Sequence, residues 1–245
     1  MFDFNIIPLT NTLLNFVFLH QTILMKAFFY KYRIFFGVLI VFSAVTISLF
    51  YMALKPAKSL PIYNPADVNP ELVDSTVQYV SKYHTIADFS FVNQNGKTIT
   101  QKNYEGKIYV ADFFFTTCGS ICPKMTTNLE EVQKAILNNP KVMLLSHTVF
   151  PETDSVPVLK EYAIKHHVVD SKWNLVTGDK KAIYTMARKS YLAVKLGKPE
   201  ELYDMVHTEN FVLVDQKRRV RGFYDGTNKE DVQRLIEDIA FLSEQ

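Results

Sequence analysis

The sequence predicts an α/β fold carried behind a single membrane-spanning helix. Three observations predict it. A run of 21 uncharged residues, Ile34 to Leu54, lies near the N-terminus between Arg33 and Lys55. From about Asp88 onward, short apolar runs of strand character alternate with stretches of helical periodicity. The two cysteines of the chain, Cys118 and Cys122, fall at the junction between one such strand and the helix after it.

The 245 residues suit one domain of ordinary size plus an appendage. A composition of 48% apolar and 21% charged residues excludes a wholly disordered chain. The net charge is +2, and the excess lies in the first 54 residues, which hold Lys26, Lys31, Arg33 and Asp3. The remainder is neutral, so no basic field points to nucleic acid. Function has to be argued from a site.

The uncharged run is apolar on every side. At about 1.5 Å per residue it reaches roughly 30 Å, the thickness of a bilayer's hydrocarbon layer. Lys26, Lys31 and Arg33 precede it, against Lys55 and Lys58 after it, a bias toward a cytoplasmic N-terminus. Residues 1–25 carry no charge but Asp3, yet Asn5, Pro8, Asn11, Asn15, His20 and Gln21 make them a poor span. A start at Met25 would leave them out. Pro56, Pro61, Pro65 and Pro70 then favour an extended, semi-rigid spacer. The expected organisation is a cytoplasmic segment over 1–33, the span over 34–54, a Pro-rich linker over 55–84 and a domain over 85–245. That domain would lie on the periplasmic side of a bacterial inner membrane, or face the intermembrane space in a mitochondrion.

Within the domain, residues 89–93 and 98–101 flank Asn95-Gly96, a strong hairpin signal. Residues 107–115 (KIYVADFFF) read as a strand buried on both faces. Residues 124–137 read as an amphipathic helix with Met125, Leu129, Val132 and Ile136 on one face, and 142–146 as a second buried strand. Helices are expected over 156–167 and 180–192, a hairpin over 211–215 and 220–224, and a closing helix over 231–242. Strand, helix, strand, helix, hairpin, helix is the thioredoxin-like order.

Pro123 suits the first turn of a helix, where a missing N–H costs nothing. Cys118 and Cys122 therefore sit at a helix N-terminus, whose partial positive charge favours thiolate. The i, i+4 spacing places both sulfurs on one face, near enough for a disulfide or a shared soft ion. A dithiol redox enzyme and a soft-metal site both remain open on this spacing. Redox motifs of the thioredoxin type have two residues between their cysteines; here there are three.

The run Phe114-Phe115-Thr116-Thr117-Cys118 to Cys122-Pro123 resembles the Cys-x-x-x-Cys-Pro motif of the Sco/SenC family. The likeness extends over Ala87-Asp88-Phe89-Ser90 through Gly96-Lys97, Pro151-Glu152-Thr153-Asp154-Ser155 with Leu159-Lys160-Glu161-Tyr162, Trp173 to Gly178, and His207-Thr208. Phe150 departs from it, standing where the family commonly has Asp before the proline. The resemblance implies copper, as Cu(I) or Cu(II), held by Cys118, Cys122 and His207. It also implies a redox-active disulfide between the two cysteines.

From spacing alone His147 rivals His207, because a residue just after the 142–146 strand reaches the same sheet edge as the cysteine loop. The resemblance favours His207 and leaves His147 and Asp154 as supports beside the ligands. Asp154 could equally cap the helix that starts at Val156. The basic run Lys217-Arg218-Arg219-Val220-Arg221 is expected as a solvated turn or a docking patch for an acidic partner.

Two functions follow as expectations. The first is a metallochaperone without turnover, taking copper from another copper chaperone and delivering it to a copper-containing oxidase subunit, such as that of cytochrome c oxidase. The second is a membrane-tethered thiol–disulfide oxidoreductase acting on the cysteines of a copper-centre apoprotein. The absence of proline over 200–211 favours the first, since thioredoxin-type redox enzymes place a cis-proline there.

Overall fold

The computed structural model describes residues 9–54, 59–196, 205–207 and 209–245, with backbone alone at 9–18, 195, 196 and 205–207. The chain divides into two compact units, one up to Lys58 and one from Ser59 onward.

The first unit holds two helices, α1 (Leu9–Lys31) and α2 (Arg33–Leu54). No proline or glycine interrupts residues 9–31, so the scattered Asn and Thr cost only tenths of a kcal/mol each and a helix forms. Helical hydrogen bonds run on through the junction, from Tyr32 N–H to Phe28 O and from Phe36 N–H to Tyr32 O. Of the two helices, α2 alone is long and apolar enough to cross a membrane, with none of its residues buried.

The second unit is a seven-stranded sheet with helices on both faces. Its strands are β1 (Ser90–Asn93), β2 (Thr98–Thr100), β3 (Ile108–Phe114), β4 (Val142–Thr148), β5 (Trp173–Thr177), β8 (Asn210–Val214) and β9 (Val220–Asp225). Between β5 and β8 lie two short strands, β6 (Val194–Leu196) and β7 (Met205–His207), which among the described residues pair only with each other. The order across the main sheet is β2-β1-β5-β4-β3-β8-β9. The central three, β3, β4 and β5, run parallel, and the flanking pairs are antiparallel. Gly96, at φ 71°, makes the tight turn between β1 and β2, a conformation that asks for glycine.

Three helices cover one face: α3 (Cys122–Ile136), α4 (Val156–Lys165) and α6 (Lys229–Ser243). Met125, Leu129, Val132 and Ile136 of α3 pack there with Leu159 and Leu235 onto Ile108, Val110 and Phe114. The other face carries α5 (Lys180–Thr185) and a π turn, Met186–Ser190, packed with Tyr191 on Tyr109, Ala111 and Phe113. Every residue of β3 is buried, as a strand covered on both sides must be. This is the thioredoxin-like α/β architecture expected from the sequence.

The structure differs in several places. β5, β6 and β7 form where the sequence predicts no strand. β4 runs two residues further than residue 146, so His147 lies inside the strand. The helix expected over 180–192 stops at Thr185 and gives way to the π turn. Residues 59–84, expected as part of a spacer, lie on the domain: Tyr63 N–H donates to Val220 O at 2.9 Å, Val73 is fully buried, and Asp74 N–H donates to Arg188 O at 3.2 Å. Their prolines start two short 3-10 turns, Pro65–Asp67 and Pro70–Leu72, because proline suits a first turn.

Candidate functional site

β3 delivers the chain to the sheet's C-terminal edge, and the loop from Phe115 to Ile121 turns it into α3. Cys122 is the first residue of that helix, with Pro123 beside it. Neither cysteine is in a disulfide; Cys122 is fully buried and Cys118 nearly so. The Cys122 N–H points at Cys118 Sγ, 3.5 Å away, and the Ser120 hydroxyl lies at the same distance. Burial opposes ionisation of Cys118. The hydrogen bonds from the Cys122 amide and from Ser120 outweigh it and bring the thiol down to about 7. Cys122 goes the other way: burial raises it far above the usual thiol range, and the neighbouring Cys118 and Asp112 add to the effect. One sulfur is ready to ionise near neutral pH and the other holds its proton.

Asp154 fastens the loop. It is fully buried and accepts the Thr116 N–H at 3.1 Å, the Thr116 hydroxyl at 2.5 Å and the Thr148 hydroxyl. Thr148 in turn accepts the Phe150 N–H at 3.0 Å. The N-cap of α4 is Ser155, not Asp154. The carboxylate is therefore a strut between the β4 terminus and the cysteine loop.

Below the thiols, Trp173 Nε1 donates to Ser146 Oγ at 2.8 Å, and that hydroxyl donates to Asp112. Burial lifts the Asp112 carboxyl to about 7, against the opposing Ser146 bond. Sequence reasoning passed over Asp112, although a lone acid inside the apolar run 107–115 was a signal. Thr116 and Thr148 gave no signal, since their role depends on the cysteine loop meeting the end of β4.

His147 is not beside the thiols. Strand register pairs Asp112 with Ser146 and Phe113 with His147, so the histidine shares the face of Phe113. It is fully buried, stacked on Phe113 at 5.0 Å between ring centroids and ringed by Phe89, Phe91 and Tyr191. Neither ring nitrogen has a hydrogen-bond partner among the described residues. Burial holds the imidazole down to about 3, the nearby Asp112 backbone opposing this weakly. The expectation that strand order brings it to the cysteines fails because side chains alternate between faces along a strand.

His207 is the last residue of β7 and the register partner of Val194 in β6; its side chain lies outside the described residues. Among the described side chains, no three His, Cys, Asp or Glu converge on a point that could hold a metal. The two thiols supply soft donors, one of them poised as thiolate, and they need a further donor to close a site.

Two of the other histidines have structural partners. His84 Nε2 meets Ser190 O at 2.8 Å, and His166 Nδ1 meets Glu130 at 3.1 Å. The basic run is also occupied: Arg219 and Arg221 bind Asp215, Arg221 also binds the carbonyls of Leu60 and Pro61, and Arg218 binds Ile86 O and Asp88.

The SCO1/SenC family model matches residues 77–243. The SCO1 protein homolog of Bacillus subtilis is 32% identical over 162 residues, which is 65% of this chain and 83% of that protein. The solved structure of BsSco, described as having a disulfide switch and as a member of the Sco family of cytochrome c oxidase assembly proteins, gives a TM-score of 0.57 at 31% identity. It covers 65% of this chain and 94% of that one. Arabidopsis thaliana ScoI, solved with copper bound, gives a TM-score of 0.52 at 27% identity, over 63% of this chain and 98% of its own.

Proposed function

The chain belongs to the SCO1/SenC family, and from that premise we propose that it is a metallochaperone that holds one copper ion through Cys118, Cys122 and His207. It passes that ion to a copper-containing oxidase subunit, such as that of cytochrome c oxidase, and receives it from another copper chaperone. The observation that carries this reading is the Cys118 sulfur, drawn toward thiolate by the Cys122 amide and Ser120, with the second thiol four residues on at the start of α3. Two thiolates and an imidazole suit copper in either oxidation state. Asp154 holds the loop that presents the thiols; His147, on the other face of the sheet, takes no part. α2 anchors the chain in the inner membrane, with the unit from Ser59 onward on the periplasmic or intermembrane-space side.

A second reading is favoured by the unequal thiols. A Cys118 thiolate can attack a substrate disulfide, giving a mixed disulfide and one freed substrate thiol. Cys122 then loses its proton, attacks Cys118 Sγ and releases the second substrate thiol. The substrate gains two electrons and two protons, and the chain is left with the Cys118–Cys122 disulfide.

Copper titration of the reduced full-length chain in detergent tests the first reading. One ion per chain is expected, with binding lost in both Cys118→Ser and Cys122→Ser, because one thiolate cannot hold a soft ion against competing thiols. His207→Ala should weaken binding and shift the spectrum while leaving the dithiol able to oxidise. Tight stoichiometric binding by either serine variant would overturn the site. A His207→Ala protein indistinguishable from the parent would move the function to the oxidoreductase.

A further inference from the structure

Among the described residues, β6 and β7 pair only with each other, and an isolated two-stranded ribbon is marginal in water. What fixes this ribbon is the π turn before it. Tyr191 N–H reaches back to Met186 O at 2.9 Å, and Ala193 N–H to Ala187 O at 3.0 Å. Between them Leu192 is fully buried at φ 55°, a left-handed conformation that a branched side chain adopts only when its surroundings impose it. A π turn is itself rare and clusters at functional sites. The backbone thus takes two costly conformations just where it enters β6.

Arg188 sits in the middle of that turn. Its guanidinium donates to Val194 O at 3.3 Å, Glu71 O at 3.3 Å and Val73 O at 3.0 Å. Val194 is the residue paired with His207. One rigid, five-donor plane therefore ties the β6 residue opposite His207 to the segment 71–73. The same turn grips the chain after that segment as well: Arg188 O accepts Asp74 N–H at 3.2 Å, and Ser190 Oγ accepts Ala87 N–H at 3.3 Å. The 3-10 turn Pro70–Leu72 packs against β6 directly.

We propose that Arg188 is a positioning residue for the metal site, setting through Val194 the place of β7, the strand that carries His207. This rests on His207 as the third ligand. It gives a function to the π turn and to a segment that composition alone marks as a spacer. Lysine cannot replace the arginine, because one ammonium cannot reach three carbonyls in a plane.

The test uses the full-length chain in detergent, loaded with Cu(II), with three readouts: thiolate-to-copper absorption, retention against a competing chelator, and the rate of Cys118–Cys122 disulfide formation. Arg188→Lys and Arg188→Ala should each lower retention about 10-fold, the range for residues that orient a ligand. Both should move the absorption toward that of His207→Ala, with disulfide formation unchanged in Arg188→Lys. In a His207→Ala background, Arg188→Ala should lower retention no further. Additive losses would assign Arg188 to the fold alone and overturn the proposal. So would a normal spectrum and normal retention in both Arg188 variants where His207→Ala changes them. A His207→Ala chain with unchanged absorption would overturn the ligand assignment and the positioning role together.

Discussion

Two buried titratable side chains on adjacent strands push stability in opposite directions. His147 is held down to about 3 by burial, against about 6.5 in an unfolded chain. Its contribution is complete above about 6.5 and is lost as pH falls toward 3, because the unfolded chain takes up a proton that the folded one refuses. Asp112 is lifted to about 7 by burial, against about 3.9 unfolded. Its contribution is complete below about 3.9 and is lost as pH rises through 7. The two slopes overlap between about pH 4 and 6.5 and offset each other in the parent chain. In His147→Phe, urea midpoints should therefore fall as pH rises through that window. In Asp112→Asn they should rise. Profiles that stay parallel to the parent's in both variants would show that neither group is buried as described. His147→Phe should also leave copper binding unchanged, since the ring lies across the sheet from the thiols.

At the scale of elements, the cysteine loop depends on the end of β4. Asp154 accepts three hydrogen bonds from Thr116 and Thr148, which join the loop to that strand. Asp154→Ala leaves the Thr116 N–H and two hydroxyls without an acceptor in a buried place, at a cost of about 3 kcal/mol. Copper retention should fall with it, because the thiols lose the frame that spaces them. A urea denaturation series on Asp154→Ala showing a loss below about 1 kcal/mol would refute this strut. The sequence pattern Asp-Ser before Val156-Pro157 reads as a cap in either register, and Ser155 takes the N-cap position. Asp154 is thereby left to face the loop, an outcome that a local pattern does not distinguish.

For the whole molecule, the boundary of the second unit matters. Residues 59–84 satisfy groups that the rest of the domain leaves open. The buried Arg221 donates to Leu60 O at 2.7 Å and to Pro61 O at 2.8 Å, Arg188 to Glu71 O and Val73 O, and His84 Nε2 meets Ser190 O. A protein starting at residue 59 should unfold in one cooperative transition. One starting at residue 85 strands these donors and exposes the pocket of Val73, so its melting temperature should be lower by roughly 10 °C or more. Equal melting temperatures for the two would mean that residues 59–84 are a passive spacer after all.

The sequence by itself determined most strands and helices of the core, β5 excepted, the apolar run of α2, and the cysteine pair at the start of α3. These rest on periodicity, on hydropathy and on the preference of proline for a first turn, all legible within a few residues. The tertiary structure alone decided which face His147 occupies, since one added residue in β4 reverses a side chain's direction. It also decided that Asp112 bonds to Ser146 within the core, that Asp154 braces the loop, and that Arg188 joins residues 71–73 to β6. Each of these depends on the register of distant segments: Thr116 and Asp154 are 38 residues apart, Arg188 and Glu71 117. No local pattern of residue types carries that information, because the same arginine or aspartate satisfies any carbonyl or hydroxyl that the fold brings within reach.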